Sequence, residues 1–366
     1  MRFATFNLEN LFQRPTLFTL EAEREAVLDD FEKLNTWIAK EIYTDEIKQD
    51  IIKMTEKYPG LASDKNEYIS LVCVRDKLFS GNGQEVKAKG RADWSGWFDL
   101  RRATVPAVAV ENTARVMGLL KADILAVVEV ESRPALLQMN KNVLPAVNVN
   151  AFDQVMVIEG NDPRGIDVGI MLAEGYRIDS MTSHVYDRDN LGIVFSRDCP
   201  EYFVTGPNQL QILVMVNHFK SKGYGDPKKS AEKRFRQAKR VRDLVDERVK
   251  QGFKHIMVVG DLNDTPDQEA LSPLIRFDSP LKDVMQHSKF AHDGRAGTHG
   301  NGNQQLDYIL MTGELWKAVR SAGVERRGVW GGKNGDLFPH LDTITCAEEA
   351  ASDHAALWVE FDPSKL

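Results

Sequence analysis

Asp123-Ile124-Leu125-Ala126-Val127-Val128-Glu129-Val130-Glu131 sets an unbroken apolar run against an acid. A strand with one wet face alternates apolar and polar positions, so a continuous run of this length reads as a strand covered on both faces. Ahead of it, Ala114, Val116, Met117, Leu119 and Leu120 are spaced as a short helix over Asn112 to Lys121. The helix-then-strand order places helices outside a buried sheet. Glu129 is then the anomaly, because an acid ending a buried strand needs a partner; a structural arginine is the plain explanation and a bound cation the chemical one.

Working outward, the same texture recurs. Residues 2–7 alternate as a strand and stop at Asn7, and short strands are expected at 154–158, 167–172, 192–196, 211–217, 255–260, 306–311 and 356–361. A helix over Ala231 to Val249 puts Phe235, Ala238, Val241, Val245 and Val249 on one stripe and its basic residues elsewhere. Many short strands with interspersed helices predict an α/β fold of two sheets packed face to face with helices outside. Between about residues 14 and 110 the texture changes to charge-rich helical periodicity, then a glycine- and tryptophan-containing stretch around Gly81 to Leu100. We expect a single domain over 1–366 carrying a mainly helical insertion there.

The chain has 366 residues and a net charge of −7, which argues against coating nucleic acid by bulk electrostatics but leaves room for a local basic face. Such a face is offered by Lys220, Lys222, Lys228, Lys229, Lys233, Arg234, Arg236, Lys239, Arg240 and Arg242; alone, it reads as a solvated helix surface. Cys73, Cys199 and Cys346 are too few and too far apart for a disulfide framework or a thiolate metal cluster. With no secretory leader and no membrane-length apolar run, the expectation is a cytoplasmic protein without stable membrane association.

The polar residues interrupt the strands at their ends. Glu129 follows Val127-Val128, Asn217-His218 follow Leu213 to Val216, and Asp261-Leu262-Asn263 follow Ile256 to Gly260; Asp307 lies within Leu306-Asp307-Tyr308, and Asp353-His354 precede the last strand. Each has an ordinary explanation. Asn7 can terminate a strand, Asp261 and Asn263 can cap a helix, and His218 or His354 can be a satisfied core histidine. Jointly they describe a rim of carboxylates, amides and imidazoles. Hard oxygen donors with few thiolates suit Mg²⁺ or Mn²⁺ better than zinc, and hydrolysing a phosphoester calls for such an ion.

Thr5-Phe6-Asn7-Leu8-Glu9-Asn10, Val128-Glu129-Val130, Asn217-His218-Phe219-Lys220-Ser221-Lys222, Gly260-Asp261-Leu262-Asn263-Asp264, Leu306-Asp307-Tyr308 and Ser352-Asp353-His354 stand in the order of the endonuclease/exonuclease/phosphatase superfamily, which this sequence resembles over nearly all but the insertion. The resemblance implies a deoxyribonuclease I-like, four-layered α/β sandwich of two mainly antiparallel sheets with the site between them. It implies that Glu129 is the principal metal ligand, with Asn7, Asp353 and, more weakly, Glu9 beside it. It also implies that His218 and His354 contact the scissile phosphate, that Asp307 supports His354, and that Asp261 orients or deprotonates the attacking water with Asn263 as its companion. The mid-chain Tyr or Glu that some members add has no assignable counterpart here.

Arg164-Gly165-Ile166-Asp167-Val168-Gly169 and Lys220-Ser221-Lys222 resemble stretches of bacterial nuclease-like members, so Arg164, Lys220 and Lys222 are expected substrate contacts, with Arg197 a lesser one. The leading expectation is a metal-dependent nuclease cutting DNA or RNA. Alternatives are a phosphatase or phospholipid phosphodiesterase of the inositol phosphate or sphingomyelin type, and a catalytically silent scaffold. No protein partner is expected. His184, His255, His287, His292, His299 and His340 have no spacing that singles them out and read as structural or surface. Trp94 and Trp97 read as core more readily than as base-stacking groups.

Overall fold

Along the first strand, Arg2–Asn7, Phe3 faces one buried apolar cluster, whereas Ala4 and Phe6 face another. The strand Ile124–Val130 repeats the division: Ile124, Ala126 and Val128 point one way, Leu125 and Val127 the other. Two faces, both buried, are what the continuous apolar runs require. In the computed structural model, which describes residues 1–20, 23–81, 83–162, 164–222 and 226–366, this produces four layers.

One sheet has seven strands in the order Phe290–Ala291, Val319–Glu325, Ala356–Phe361, Arg2–Asn7, Ile124–Val130, Asp167–Leu172 and Gln154–Ile158. The other has six, in the order Leu281–Asp283, Asp307–Thr312, Ile256–Asp261, Gln211–His218, Glu201–Thr205 and Arg177–Thr182. Between them lies a core that takes Phe3, Ile124 and Val128 from the first sheet and Val214, Val216, Met257, Val259 and Ile309 from the second. Outside the first sheet, Ala109, Ala114, Val116 and Met117 of the helix Ala107–Leu120 pack on Ala4, Phe6, Leu125 and Val127. Outside the second, Ala238, Val241, Leu244 and Val245 of the helix Pro227–Lys250 pack on Leu213, Met215, Ile256 and Val258. Each fully buried valine, leucine, isoleucine, phenylalanine or methionine among these contributes roughly 1.5–3 kcal/mol relative to exposure, and each alanine less.

Pairing is mainly antiparallel, with a parallel pair in the middle of each sheet, Arg2–Asn7 beside Ile124–Val130 and Gln211–His218 beside Ile256–Asp261, and a further short one at an edge, Phe290–Ala291 beside Val319–Glu325. Strands at Arg177–Thr182, Glu201–Thr205 and Val319–Glu325 went unmarked in the sequence. The first is nearly all exposed, the second begins with a buried glutamate, and the third mixes charge with small residues, so none has a clean period. The strand expected at 192–196 shrinks to Gly192–Ile193, because Val194 and Phe195 fill the helix-side core instead of pairing.

The chain divides into two compact units, one of Met1–Phe12, Val105–Lys222 and Lys228–Leu366, the other of Gln13–Thr104 with Gly223–Pro227. The second has its own core of Leu17, Phe31, Leu34, Trp94 and Phe98. It holds the helices Arg24–Ile38 and Asp45–Lys57, but also the antiparallel pair Ile69–Arg75 with Ser95–Leu100 and a smaller one of Gln13–Pro15 with Arg102–Thr104. Two sheets make it less helical than its periodicity suggested, and it closes before the helix Ala107–Leu120 rather than inside it. Trp94 is buried there and its indole N–H donates to the Tyr43 hydroxyl (2.8 Å), so it is a core residue. Among the described residues no helix is long and apolar enough to cross a membrane.

Candidate active site

Topology gathers the strand-end residues. In a parallel pair both strands finish at the same edge, so Asn7 and Glu129 end together in one sheet, and His218 lies level with Asp261 in the other. Asp307 opens the antiparallel neighbour and pairs with Asp261 in register, while Asp353 and His354 lead into Ala356–Phe361 beside the first strand. Six separated motifs therefore meet at one rim of the sandwich.

Glu129 is placed by a defect in its strand. Its φ is +61°, and the register with Asp167–Leu172 slips between Val128 and Val130, which turns Val130 to the face that Leu125 and Val127 occupy. A bulge with a non-glycine residue in the left-handed region costs on the order of 1 kcal/mol or more and re-aims one side chain. That side chain comes within 3.6 Å of His218 Nε2 and lies close enough to the Asn7 amide for it to favour the charged carboxylate. Asn7 Oδ1 accepts the Glu9 N–H (3.0 Å), its Nδ2 donates to Asp261 Oδ2 (3.2 Å), and its carbonyl accepts the Ser352 hydroxyl (2.7 Å). Glu9, also at positive φ, accepts the Asp353 N–H through Oε2 (3.0 Å).

The expected metal ligands thus gather together, Asn7, Glu9 and Asp353 in one hydrogen-bonded chain and Glu129 close beside Asn7. Burial raises the proton affinity of Glu129, and the Asp353 charge raises it further against the opposing pull of Arg164 and His354. Acids gathered this way, with Asp307 Oδ1 and Asn217 Oδ1 buried without a hydrogen-bond partner among the described residues, fit a hard divalent cation held by oxygen.

Around Asp261 the geometry is tighter. Oδ1 accepts the Asn263 N–H (2.7 Å), Oδ2 accepts Asn263 Nδ2 (3.1 Å), and the left-handed backbone of Asn263 turns the amide back toward the acid. Gly260 makes this turn possible: at φ +116° it lies against the Asn217 carbonyl, and a Cβ there would come within 2.1 Å of that oxygen. Burial, reinforced by Asp307, pushes the Asp261 carboxyl up to about 7.

The two histidines are driven apart. Burial, with the nearby charges of Arg164 and His354, holds His218 well below the usual imidazole range, so its ring is neutral. Burial acts the same way on His354 but is outweighed by Asp307, Asp353 and Asp261, which lift it well above that range. His354 Nδ1 sits 2.8 Å from Asp307 Oδ2, and Thr298 Oγ1 donates to the same oxygen at 2.6 Å. His354 Nε2 is left 3.9 Å from Asp261 Oδ2. A neutral and a cationic imidazole on either side of one acid are equipped for different proton tasks.

The expected substrate cations fare differently. Arg164 lies close enough to Glu129 and His218 to influence both, and Asp162 holds it through Nε (3.1 Å) and Nη2 (2.9 Å). Arg197 is corrected: its guanidinium is enclosed, with Nε 2.7 Å from Asp162 and Nη1 donating to the Phe219 carbonyl (3.0 Å), so it braces the site from beneath instead of meeting substrate. Lys222 is drawn to Asp264, which also binds Arg234 (2.8 Å). Lys220 lends its N–H to Gln237 (2.9 Å) and its carbonyl to Arg234 (3.1 Å).

The basic helix is not the open phosphate track its composition offered, since Arg236 pairs with Asp189, Arg240 with Asp187, Arg242 with Asp246 and Arg248 with Glu201. Three residues that matter here escaped the sequence: Asp162, which aims Arg164; Thr298, which holds Asp307; and His299, which borders Asp353 and His354. Thr298-His299-Gly300 has no periodicity, and only the backbone brings it to the rim.

A model of a family described as Endonuclease/Exonuclease/phosphatase family matches residues 99–290, more than half of the chain. Among solved structures, an endonuclease/exonuclease/phosphatase family protein from Bacteroides thetaiotaomicron aligns with a TM-score of 0.51 at 16% identity, over 70% of this chain and 88% of that one. A mannosyl-6-phosphatase from Bacteroides thetaiotaomicron VPI-5482 aligns with a TM-score of 0.51 at 15% identity, over 70% and 91% respectively. At such identity the likeness concerns the fold alone. No curated protein matches in sequence. The family match covers Glu129, His218, Asp261 and Asn263, and the sandwich brings Asn7, Asp307, Asp353 and His354 to the same rim; the chain belongs to the endonuclease/exonuclease/phosphatase family, whose members hydrolyse phosphoesters.

Proposed function

We propose that the chain is a divalent-metal-dependent phosphodiesterase that hydrolyses nucleic-acid phosphodiester bonds by in-line attack of water, with Mg²⁺ or Mn²⁺ as its ion. The observation that carries the reading is the meeting of Asn7, Glu129, His218, Asp261, Asn263, Asp307 and His354 in one hydrogen-bonded and ion-paired group. Glu129 and Asn7, with Asp353 and Glu9 beside them, would hold the cation, which when bound supplies neutralisation of charge growing on the phosphoryl oxygens. Asp261, steadied by Asn263, orients the water and takes its proton. His354, kept cationic and oriented by Asp307, donates from Nε2 to a phosphoryl oxygen. His218 lines the same pocket as a neutral imidazole, and Arg164, aimed by Asp162, adds a fixed positive charge.

A second reading, a small phosphoester instead of a polymer, is favoured by one observation: the helix arginines that would follow a polynucleotide backbone are tied to Asp187, Asp189, Asp246 and Glu201. A panel assay separates the two. Cleavage of single- and double-stranded DNA, RNA, sugar phosphates, inositol phosphates and sphingomyelin would be followed with Mg²⁺ or Mn²⁺, using Asp261→Ala as the blank. We expect ion-dependent cleavage of nucleic acid that the variant abolishes. Turnover confined to small phosphoesters would transfer the proposal to the second reading, and no turnover of any substrate would end both.

A further inference from the structure

His299 belongs to none of the motifs above, yet it stands opposite His354 in an isolated antiparallel bridge, with ring centroids 4.7 Å apart. Its Nε2 lies 3.4 Å from Asp353 Oδ2, and His354 Nε2 lies 3.8 Å from Asp353 Oδ1. One ligand atom from each of the three residues falls within 4.8 Å of the others. We propose that His299, Asp353 and His354 form a second cation site, sharing Asp353 with the oxygen-rich set at Glu129 and Asn7, that takes a transition ion of the Zn²⁺ class.

The donor chemistry chooses the ion. Two imidazole nitrogens and one carboxylate suit Zn²⁺ and its neighbours in the first transition row, whereas Mg²⁺ prefers oxygen throughout and surrenders its waters reluctantly. The site is also built from behind. Asp307 bonds His354 Nδ1 (2.8 Å), which directs Nε2 toward Asp353, and a carboxylate behind a histidine is the usual support of a metal-bound imidazole.

Thr298 holds that carboxylate and is the residue before His299, so the two histidines share one brace. The backbone fixes their spacing: Gly300 N donates to the Asp353 carbonyl (2.7 Å) and Ala355 N to the Thr298 carbonyl (2.9 Å). Partial exposure of His299 and Asp353 leaves positions open for water or a phosphoryl oxygen. The consequence for hydrolysis, though not the binding itself, rests on the function proposed above: an ion on His354 Nε2 removes the proton that this ring would offer to phosphate.

The test uses the full-length protein, stripped of metal with a chelator and dialysed, then titrated by calorimetry with Zn²⁺ alone. Absorption of bound Co²⁺ reports nitrogen ligation. Wild type should bind one Zn²⁺ tightly, and His299→Ala and the milder His299→Gln should each weaken that binding by at least about tenfold and lose the Co²⁺ band. Glu129→Gln and His255→Ala, which alter the oxygen-rich set and a remote half-buried imidazole, should bind as wild type does. Equal affinity in the His299 variants, loss in Glu129→Gln alone, or no binding by wild type would each overturn the site. Zn²⁺ binding that depends on His299 in a protein inert toward every phosphoester would overturn the proposed function only.

Discussion

Glu129 holds a left-handed backbone that glycine would occupy without strain. Replacing it with glycine relieves that strain and removes a buried acid, at the expense of the expected principal ion ligand. Glu129→Gly should therefore raise the unfolding free energy by about 1 kcal/mol, while ion-dependent cleavage falls by at least about a hundredfold, several kcal/mol of ion stabilisation being lost. Urea unfolding beside a cleavage assay reads both, and a variant that loses stability along with activity would contradict the strain account.

Asp307→Asn retains an acceptor for the Thr298 hydroxyl but removes the largest of the charges that keep His354 cationic. We expect kcat to drop by about 10²–10⁴ with KM little changed, and NMR titration to find His354 titrating lower than in wild type. Both acids were legible in the sequence because each interrupts apolar strand residues. His299 was not, since its loop has no period against which a polar residue stands out.

At the scale of elements, the helix Pro227–Lys250 is fastened to its sheet by charge. His184 contacts Asp187 through Nδ1 (2.9 Å) and Glu201 through Nε2 (2.9 Å), while Arg240 and Arg248 reach those two acids from the helix (2.6 and 2.7 Å). Burial lowers the His184 pKa, but the bonds to Glu201 and Asp187 outweigh it and leave the value raised above 6.5. A raised histidine stabilises fully below its unfolded pKa, and this contribution fades as pH climbs through the folded value. His184→Gln should therefore cost about 3 kcal/mol at pH 6, and its deficit against wild type should shrink steadily toward alkaline pH. A deficit independent of pH in urea unfolding would show that the ring stays neutral. The helix's apolar stripe could be read from its spacing; its pairing with distant acids could not, because Asp187 lies outside any strand and Asp189 and Glu201 stand in short strands that carry no clean period.

For the whole molecule, the sandwich was readable because doubly covered strands leave continuous apolar runs, whereas the edges of its sheets and the inner structure of the second unit were not. Phe12 and Val105, the residues flanking Gln13–Thr104, are hydrogen-bonded to each other, Val105 N donating to the Phe12 carbonyl at 2.9 Å. The excised segment thus leaves ends that a few residues can join, and closing a short loop costs little entropy. Replacing Gln13–Thr104 by a short glycine-serine link should give a folded protein with one cooperative urea transition; a product without one would mean that the sandwich depends on that unit.

The strand Ala356–Phe361 lies between Val319–Glu325 and Arg2–Asn7, and His354 stands just ahead of it. Asn7 is made long before the strand that lies beside its own, and the rim cannot close until Ala356–Phe361 has paired with Arg2–Asn7. Assembly of the proposed site is thus coupled to completion of the seven-stranded sheet, since His354 gains its fixed place near Asp261 only with that pairing.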